Sequence, residues 1–252
     1  MNRDKFGQVI WHDLFTDDLE ASMLFYKRVA GWTYRTEHAT DFAWGGGEKD
    51  FVLALLEDEA GAGFTETPTE LTHGWIAYIE VRDVNTTAAL AKQFGGAIVR
   101  PPFEVPGVGR NALLRDPLGA LIGISQSRHS FPAPTTQFEN ELYASRTEDF
   151  PSAFYGALFG WETQAAPNEA LGKAVVGPSG GAIAGVFAVA SLPGSEPRWI
   201  PSLKTAHFDA SLKAAHDLSA EVLSKPLYAR GHSDGIVLRD CCGAVLRLQR
   251  SA

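Results

Sequence analysis

The sequence predicts an α+β protein made by tandem duplication, with two copies of a paired βαβββ unit and hence four modules. Three observations carry that fold class. First, landmarks recur in a fixed order: Phe25-Tyr26 and Gly31-Trp32 return as Phe154-Tyr155 and Gly160-Trp161, 129 residues later. Trp75-Ile76, Pro102, Gly107 and Arg115-Asp116 with Gly119-Ala120 return as Trp199-Ile200, Pro226, Gly231 and Arg239-Asp240 with Gly243-Ala244, each 124 residues later. Second, a strand, a helix and several strands follow one another twice within each copy. Third, the stretch from Ser125 to Thr136 has the Ser, Pro and Thr composition of a linker. The copies are assigned to residues 1–127 and 137–252, joined by 128–136.

The elements of the first copy follow in order. Val9 to Phe15 is strand-like. Asp17-Asp18 supplies an N-cap for a helix over Leu19 to Ala30, where Leu19, Met23, Tyr26 and Ala30 fall at helical spacing and Gly31 ends it. Trp44-Gly45-Gly46-Gly47-Glu48 lacks the Lys-Ser/Thr of a phosphate loop and reads as a hairpin turn ahead of a buried strand, Phe51 to Leu56. Trp75 to Val81 opens the second module. Asp83 caps a helix with Val84, Ala88, Ala91 and Phe94 on one face and Gly95-Gly96 at its end. Residues 97–124 hold two or three strands punctuated by Pro101-Pro102 and Pro106-Gly107. The resulting sheets are large and twisted, with one face toward helices and one toward a cavity.

Composition narrows the function. At 45% hydrophobic and 21% charged, the 252 residues can bury a core. Lys and Arg number 22 against 30 Asp and Glu, a net charge of −8 that leaves no basic face for nucleic acid or an anionic membrane. The two cysteines, Cys241 and Cys242, are adjacent and close no ordinary disulfide. The N-terminus lacks the apolar stretch of a signal peptide, and no run reaches the ~18 apolar residues of a membrane span. A soluble, cytoplasmic protein is expected.

Trp11-His12-Asp13-Leu14, Asp18, Phe25-Tyr26 and Gly31-Trp32 resemble the first module of the vicinal oxygen chelate superfamily, which holds glyoxalase I, extradiol dioxygenases, and fosfomycin- and bleomycin-resistance proteins. Trp75, Tyr78, Val81-Arg82-Asp83-Val84, Gly95-Gly96, Pro106-Gly107-Val108-Gly109-Arg110 and Asp116-Pro117-Leu118-Gly119-Ala120 resemble its second module. The likeness covers nearly the whole chain, once per half, and is closest to tandem glyoxalase-like members. It weakens in the second copy, where Thr147-Glu148-Asp149 replaces the cap and Cys241-Cys242 replaces Pro117-Leu118. The resemblance implies paired modules curled into half-barrel mixed sheets around a cavity. In metal-bearing members a divalent ion held by His and Glu binds two vicinal oxygens and stabilises the charge that develops on them. The ligand positions it implies fall here on Trp11, Ile76, Gly123 and Ala54, none of which can ligate. In the second copy they fall on Ile200, on Arg247, which cannot bind a cation, and on Asn140 or Glu139 according to register. No metal or other cofactor is therefore expected in either half.

Strand alternation selects the candidate site residues. With Trp11, Asp13 and Phe15 toward the cavity, His12 faces the helices as a structural histidine. Asp13 is either a ligand-contacting acceptor or part of a buried polar network, and with a raised pKa it would serve as a general base. Tyr78 and Glu80 share the cavity face with Ile76, with Glu80 alternatively at the solvated rim. In the second copy Ser202, Lys204 and Arg247 occupy equivalent places, with Glu141 or Tyr143 opposite; two cations there suit an anionic ligand or a structural salt bridge to Glu141. Arg110 sits on a turn that borders a pocket or is merely surface. Phe25, Tyr26, Trp32, Phe154, Tyr155 and Trp161 read as core packing. The expectation is a metal-free binder of an aromatic or anionic metabolite through Trp11, Asp13, Phe15, Tyr78, Glu80, Arg110, Ser202, Lys204 and Arg247. The alternative is a lyase, isomerase or dioxygenase with a displaced metal site, kept open by His12, His73 and His207, or with acid–base chemistry on Asp13 and Glu80. Fusion of the copies suits a monomer with an internal pseudo-dimer, or a homodimer of such chains.

Overall fold

The computed structural model describes residues 5–40, 48–66, 73–129, 133–145, 149–166, 172–188, 196–224, 227–229 and 232–251. The first half runs β1 (Val9–Thr16), α1 (Leu19–Ala30), β2 (Thr33–Thr40), β3 (Glu48–Leu56), β4 (Glu59–Glu66), then β5 (Gly74–Glu80), α2 (Val84–Gln93), β6 (Ala97–Val105), β7 (Gly109–Arg115) and β8 (Leu121–Ser127). The second runs β9 (Phe138–Ser145), α3 (Ser152–Phe159), β10 (Glu162–Ala165), β11 (Lys173–Val176), β12 (Ala182–Ala188), then β13 (Arg198–Thr205), α4 (Phe208–Asp217), β14 (Glu221–Val222), β15 (Leu227–Ala229), β16 (His232–Arg239) and β17 (Val245–Arg250). The four-module reading holds. No helix among the described residues is long and apolar enough to cross a membrane.

Local chemistry explains the boundaries. The Asp18 carboxylate accepts the Ala21 N–H at 2.8 Å and starts α1; Asp83 does the same for Thr86 at 2.6 Å and starts α2. Gly31 and Gly160 close α1 and α3 at φ 73° and 67°, a left-handed turn that a β-carbon disfavours. The expected turn around Trp44 to Glu48 falls largely on residues outside the described ones. Strand β4 was not foreseen, because Glu59-Ala60-Gly61-Ala62-Gly63 carries little strand propensity. Its glycines have a packing reason. A β-carbon at Gly61 would lie 2.2 Å from the Gln137 side chain, and one at Gly63 would lie 2.1 Å from the Phe51 ring.

Each half forms one mixed sheet, in the orders β2-β3-β4-β1-β5-β8-β7-β6 and β10-β11-β12-β9-β13-β17-β16-β14, with β15 on β16. Both are open: neither closes, and neither curls strongly, so the expected half-barrels are not what forms. The reason lies on the face that was to enclose a cavity. In the first sheet Phe15, Ile76, Tyr78 and Leu113 pack together there, with Trp11 and Ile10 beside them. Tyr78 leans over Gly123, where a β-carbon would be only 2.4 Å from its ring. A face filled by its own side chains needs no wrapping strand to shield it from water.

The helix-bearing faces of the two sheets pack against each other through α1–α4, in two joint cores. One combines Ile79, Val84 and Ile122 of the first half with Phe154, Tyr155 and Trp161 of the second. The other combines Leu14, Phe25 and Tyr26 with Phe208, Leu246 and Leu248. Each core thus draws chiefly on one module from each half, with Trp199 and Trp75 reaching in from the adjoining modules. Two matching chains of hydrogen bonds cross between the halves. Trp75 Nε1 donates to the Tyr26 hydroxyl at 2.9 Å, and Tyr26 donates to Asp240 at 2.8 Å. Trp199 Nε1 donates to the Tyr155 hydroxyl at 2.8 Å, and Tyr155 donates to Asp116 at 2.9 Å. The other oxygen of each aspartate caps its own turn, accepting from Leu118 and Ala120 or from Cys242 and Ala244.

Candidate functional site

The outer face of the first sheet, away from the helices, carries a buried polar cluster. Register places Trp11, Tyr78, Gly123 and Leu113 in one cross-strand row, and Leu53, Gly63, Asp13 and Ile76 in the next. Asp13 is only 5% exposed, and Trp11 Nε1 donates to its Oδ1 at 2.8 Å. Burial raises its carboxyl pKa to about 6, against the lowering effects of the Trp11 N–H, the Tyr78 hydroxyl and His12. The buried Tyr78 hydroxyl stands beside that carboxylate, near enough to oppose the rise, yet makes no hydrogen bond of full geometry. Burial and the Asp13 charge push its own pKa well above the ordinary value.

Asn111, two residues from Leu113 on the same face, has its Oδ1 buried and unpartnered. The Arg100 guanidinium lies over the Phe103 ring, 3.5 Å from its centre, and burial lowers its pKa while Tyr78 opposes that shift. Alternation in β7 could have pointed to Asn111. Arg100 and Phe103 stand on β6, where two register shifts hide which side chains share the face.

The predicted residues divide among several surroundings. Trp11, Asp13, Phe15 and Tyr78 come together on this face. Glu80 ends β5 and is held by Ser127, whose Oγ donates at 2.6 Å and N–H at 3.1 Å. Arg110 pairs with Glu104 and Asn85 at the surface, apart from the cluster. Ser202 is buried and donates to the Asn140 carbonyl at 2.7 Å. Lys204 donates to the Thr135 carbonyl at 2.8 Å and stands 3.8 Å from Glu139. Arg247 is buried on the outer face of the second sheet, in a row with Glu139 and Ser202, which fixes Glu139 rather than Asn140 opposite Ser202. Glu141 and Tyr143 do not share that face, contrary to expectation. Tyr143 enters the joint core and Glu141 meets His12, because a register shift beside Pro201 moves the alternation by one residue.

His12 Nε2 and Glu141 Oε1 are 2.9 Å apart across the seam between the halves, both buried, with the Phe138 ring stacked on the imidazole. They flank a cleft of about 340 Å³ that also meets Trp11, Phe138, Pro178 and Lys204. The positions assigned to metal ligands hold other chemistry. Ile76 is buried among apolar side chains, Gly123 lies under the Tyr78 ring, and Trp11 is committed to Asp13. Ala54 points into the joint core instead, and its neighbour Leu53 takes the outer-face place. Among the described residues no three His, Cys, Asp or Glu side chains gather as a metal would require.

Residues 5–124 match the family model described as Glyoxalase/Bleomycin resistance protein/Dioxygenase superfamily. CFP32 of Mycobacterium tuberculosis (strain CDC 1551 / Oshkosh), provisionally named a glyoxylase, is 28% identical over 260 residues, covering 98% of this chain and 95% of that protein. The anthracycline biosynthesis protein DauV of Streptomyces sp. (strain C5) is 25% identical over 249 residues, covering 90% of this chain and 87% of that one. The Mn(II)-bound glyoxalase from Novosphingobium aromaticivorans superposes with a TM-score of 0.61 at 12% identity, over 98% of this chain and 82% of that one, a likeness of fold.

Proposed function

The chain belongs to the Glyoxalase/Bleomycin resistance protein/Dioxygenase superfamily, a small-molecule-binding fold, and on that premise we propose that its first half binds a hydroxylated aromatic metabolite without the family metal. One observation carries this reading: the unpartnered Asn111 oxygen and the Tyr78 hydroxyl, which has only the Asp13 carboxylate beside it and no hydrogen bond of full geometry, on a face lined by Trp11 and Phe15. Buried polar groups left without partners are uncommon, and a ligand bearing hydroxyl or carbonyl groups would supply what they lack. The residues present do not suit a divalent ion: the ligand positions are apolar or committed, and the Arg100 guanidinium nearby repels one. The name of DauV, an anthracycline biosynthesis protein, agrees with an aromatic ligand.

The test titrates a dihydroxyanthraquinone against tryptophan fluorescence. Binding is expected to quench it, with the response removed in Trp11→Phe. Tyr78→Phe is expected to weaken binding about tenfold, the value of one hydrogen bond in a buried site, while leaving the thermal midpoint unchanged or higher. Absence of quenching, or unaltered affinity in Tyr78→Phe, would refute the reading. The raised pKa of Asp13 supports a second reading, proton transfer in a lyase or isomerase. Its signature is turnover that rises through pH 6 and is lost in Asp13→Asn while binding persists.

A further inference from the structure

We propose that the outer face of the second sheet is a separate site for a small apolar carboxylate, seated on Arg247. The inference rests on the reading of the fold as a small-molecule binder, but not on the first-half cluster. Arg247 is 8% exposed and makes no hydrogen bond among the described residues, and its Nε is buried without an acceptor. Glu139 acts on it only through space, from a side chain that is 40% exposed. An arginine stays charged even when burial opposes it, so a guanidinium held this way lacks the anion its geometry is made for.

The strands are shaped to hold it. A β-carbon at Gly235, which pairs with Gln249 and lies diagonal to Arg247 on β16, would be 2.3 Å from Arg247 Nε, so the partner strand gives up a side chain where the guanidinium passes. The same place in the first half is built the other way round. There a large Tyr78 faces Gly123; here a small Ser202 faces Arg247. The exchange keeps the row filled while replacing a phenol by a cation.

The surroundings select the anion. Val237 pairs with Arg247 in register, and Val237, Val245, Leu142, Ile200 and Leu223 form one apolar cluster on this face. A hydrocarbon body fits such walls, and a planar carboxylate fits the two-pronged fork of one guanidinium. A dianionic phosphate would bring a second charge toward Glu139, and the one cation beside that carboxylate, Lys204, is already held by Glu139 and the Thr135 carbonyl. Gln249, two residues along the strand, has its amide oxygen buried and unpartnered; a half-turn of that amide presents its NH2 group instead.

The experiment follows the arginine Nε–H resonances of the full-length ¹⁵N-labelled protein during titration with benzoate, with benzyl alcohol and inorganic phosphate as comparisons. The Arg247 signal is assigned by its loss in Arg247→Met. Benzoate is expected to move that signal saturably and benzyl alcohol to leave it in place. Arg247→Lys, which keeps the charge and loses the fork, should bind benzoate about tenfold more weakly. A signal unmoved by benzoate, undiminished benzoate binding in Arg247→Met, or a preference for phosphate would each overturn the proposal. Tryptophan quenching by the anthraquinone in benzoate-saturated protein reports the first face separately, so failure of either reading shows without the other.

Discussion

Asp13 is buried against the Trp11 N–H on the outer face of the first sheet, and its carboxyl titrates near pH 6 instead of the ordinary 3.8. The direction of that shift fixes its effect on stability. Between pH 4 and 6 the folded chain holds the proton more tightly than the unfolded chain, so stability falls as pH rises through that window. Above it the penalty is constant at about 3 kcal/mol. Asp13→Asn keeps an acceptor for Trp11 and removes the charge. Urea unfolding should show it more stable than the parent by up to about 3 kcal/mol at pH 8, with the difference vanishing near pH 4. An equal gain at both pH values would mean that burial of the charge is not the cause. Alternation alone brought Trp11, Asp13, Phe15 and Tyr78 to one face. It misplaced Glu141, because one bulge reverses every side chain beyond it, and bulges are set by strand partners far away in the chain.

At the scale of elements, the repeated Tyr and Asp landmarks were legible in the sequence as core and turn. Their meeting across the halves was not, since no local pattern encodes a contact 214 residues apart. The two Trp–Tyr–Asp chains differ in one respect. Asp116 also accepts from Tyr143 at 2.7 Å, whereas among the described residues Asp240 Oδ2 has Tyr26 alone as side-chain donor. Tyr155→Phe therefore leaves its aspartate partnered, and Tyr26→Phe strands a buried carboxylate oxygen. Both substitutions orphan one tryptophan N–H. Tyr26→Phe is expected to cost about 1–2 kcal/mol more in urea unfolding than Tyr155→Phe. Equal losses would show that the aspartates need no tyrosine beyond their turn N–H groups.

For the whole molecule, cores shared between modules of different halves make the duplication one cooperative body. The seam carries the His12–Glu141 pair. Glu141→Leu leaves the buried imidazole without its partner and should cost about 1–3 kcal/mol. Adding His12→Leu should recover most of that loss, and a double-mutant cycle measures the coupling; additive losses would mean that the pair does not hold the halves. The tandem βαβββ order was readable because repeats survive in sequence. The openness of the sheets was not, because it depends on how Tyr78, Phe51 and Leu113 fill a face that the family pattern leaves hollow.

His12 and Glu141 stand at the same place in the two copies, 129 residues apart, and they touch. In an assembly of separate identical chains, a contact on the symmetry axis sets each residue against itself, histidine on histidine or glutamate on glutamate. Writing both copies into one polypeptide lifts that constraint. An acid can then answer a base at the centre, and the tyrosine over a glycine on one outer face can become a serine under an arginine on the other, so the two faces diverge in chemistry while the seam between them keeps its shape.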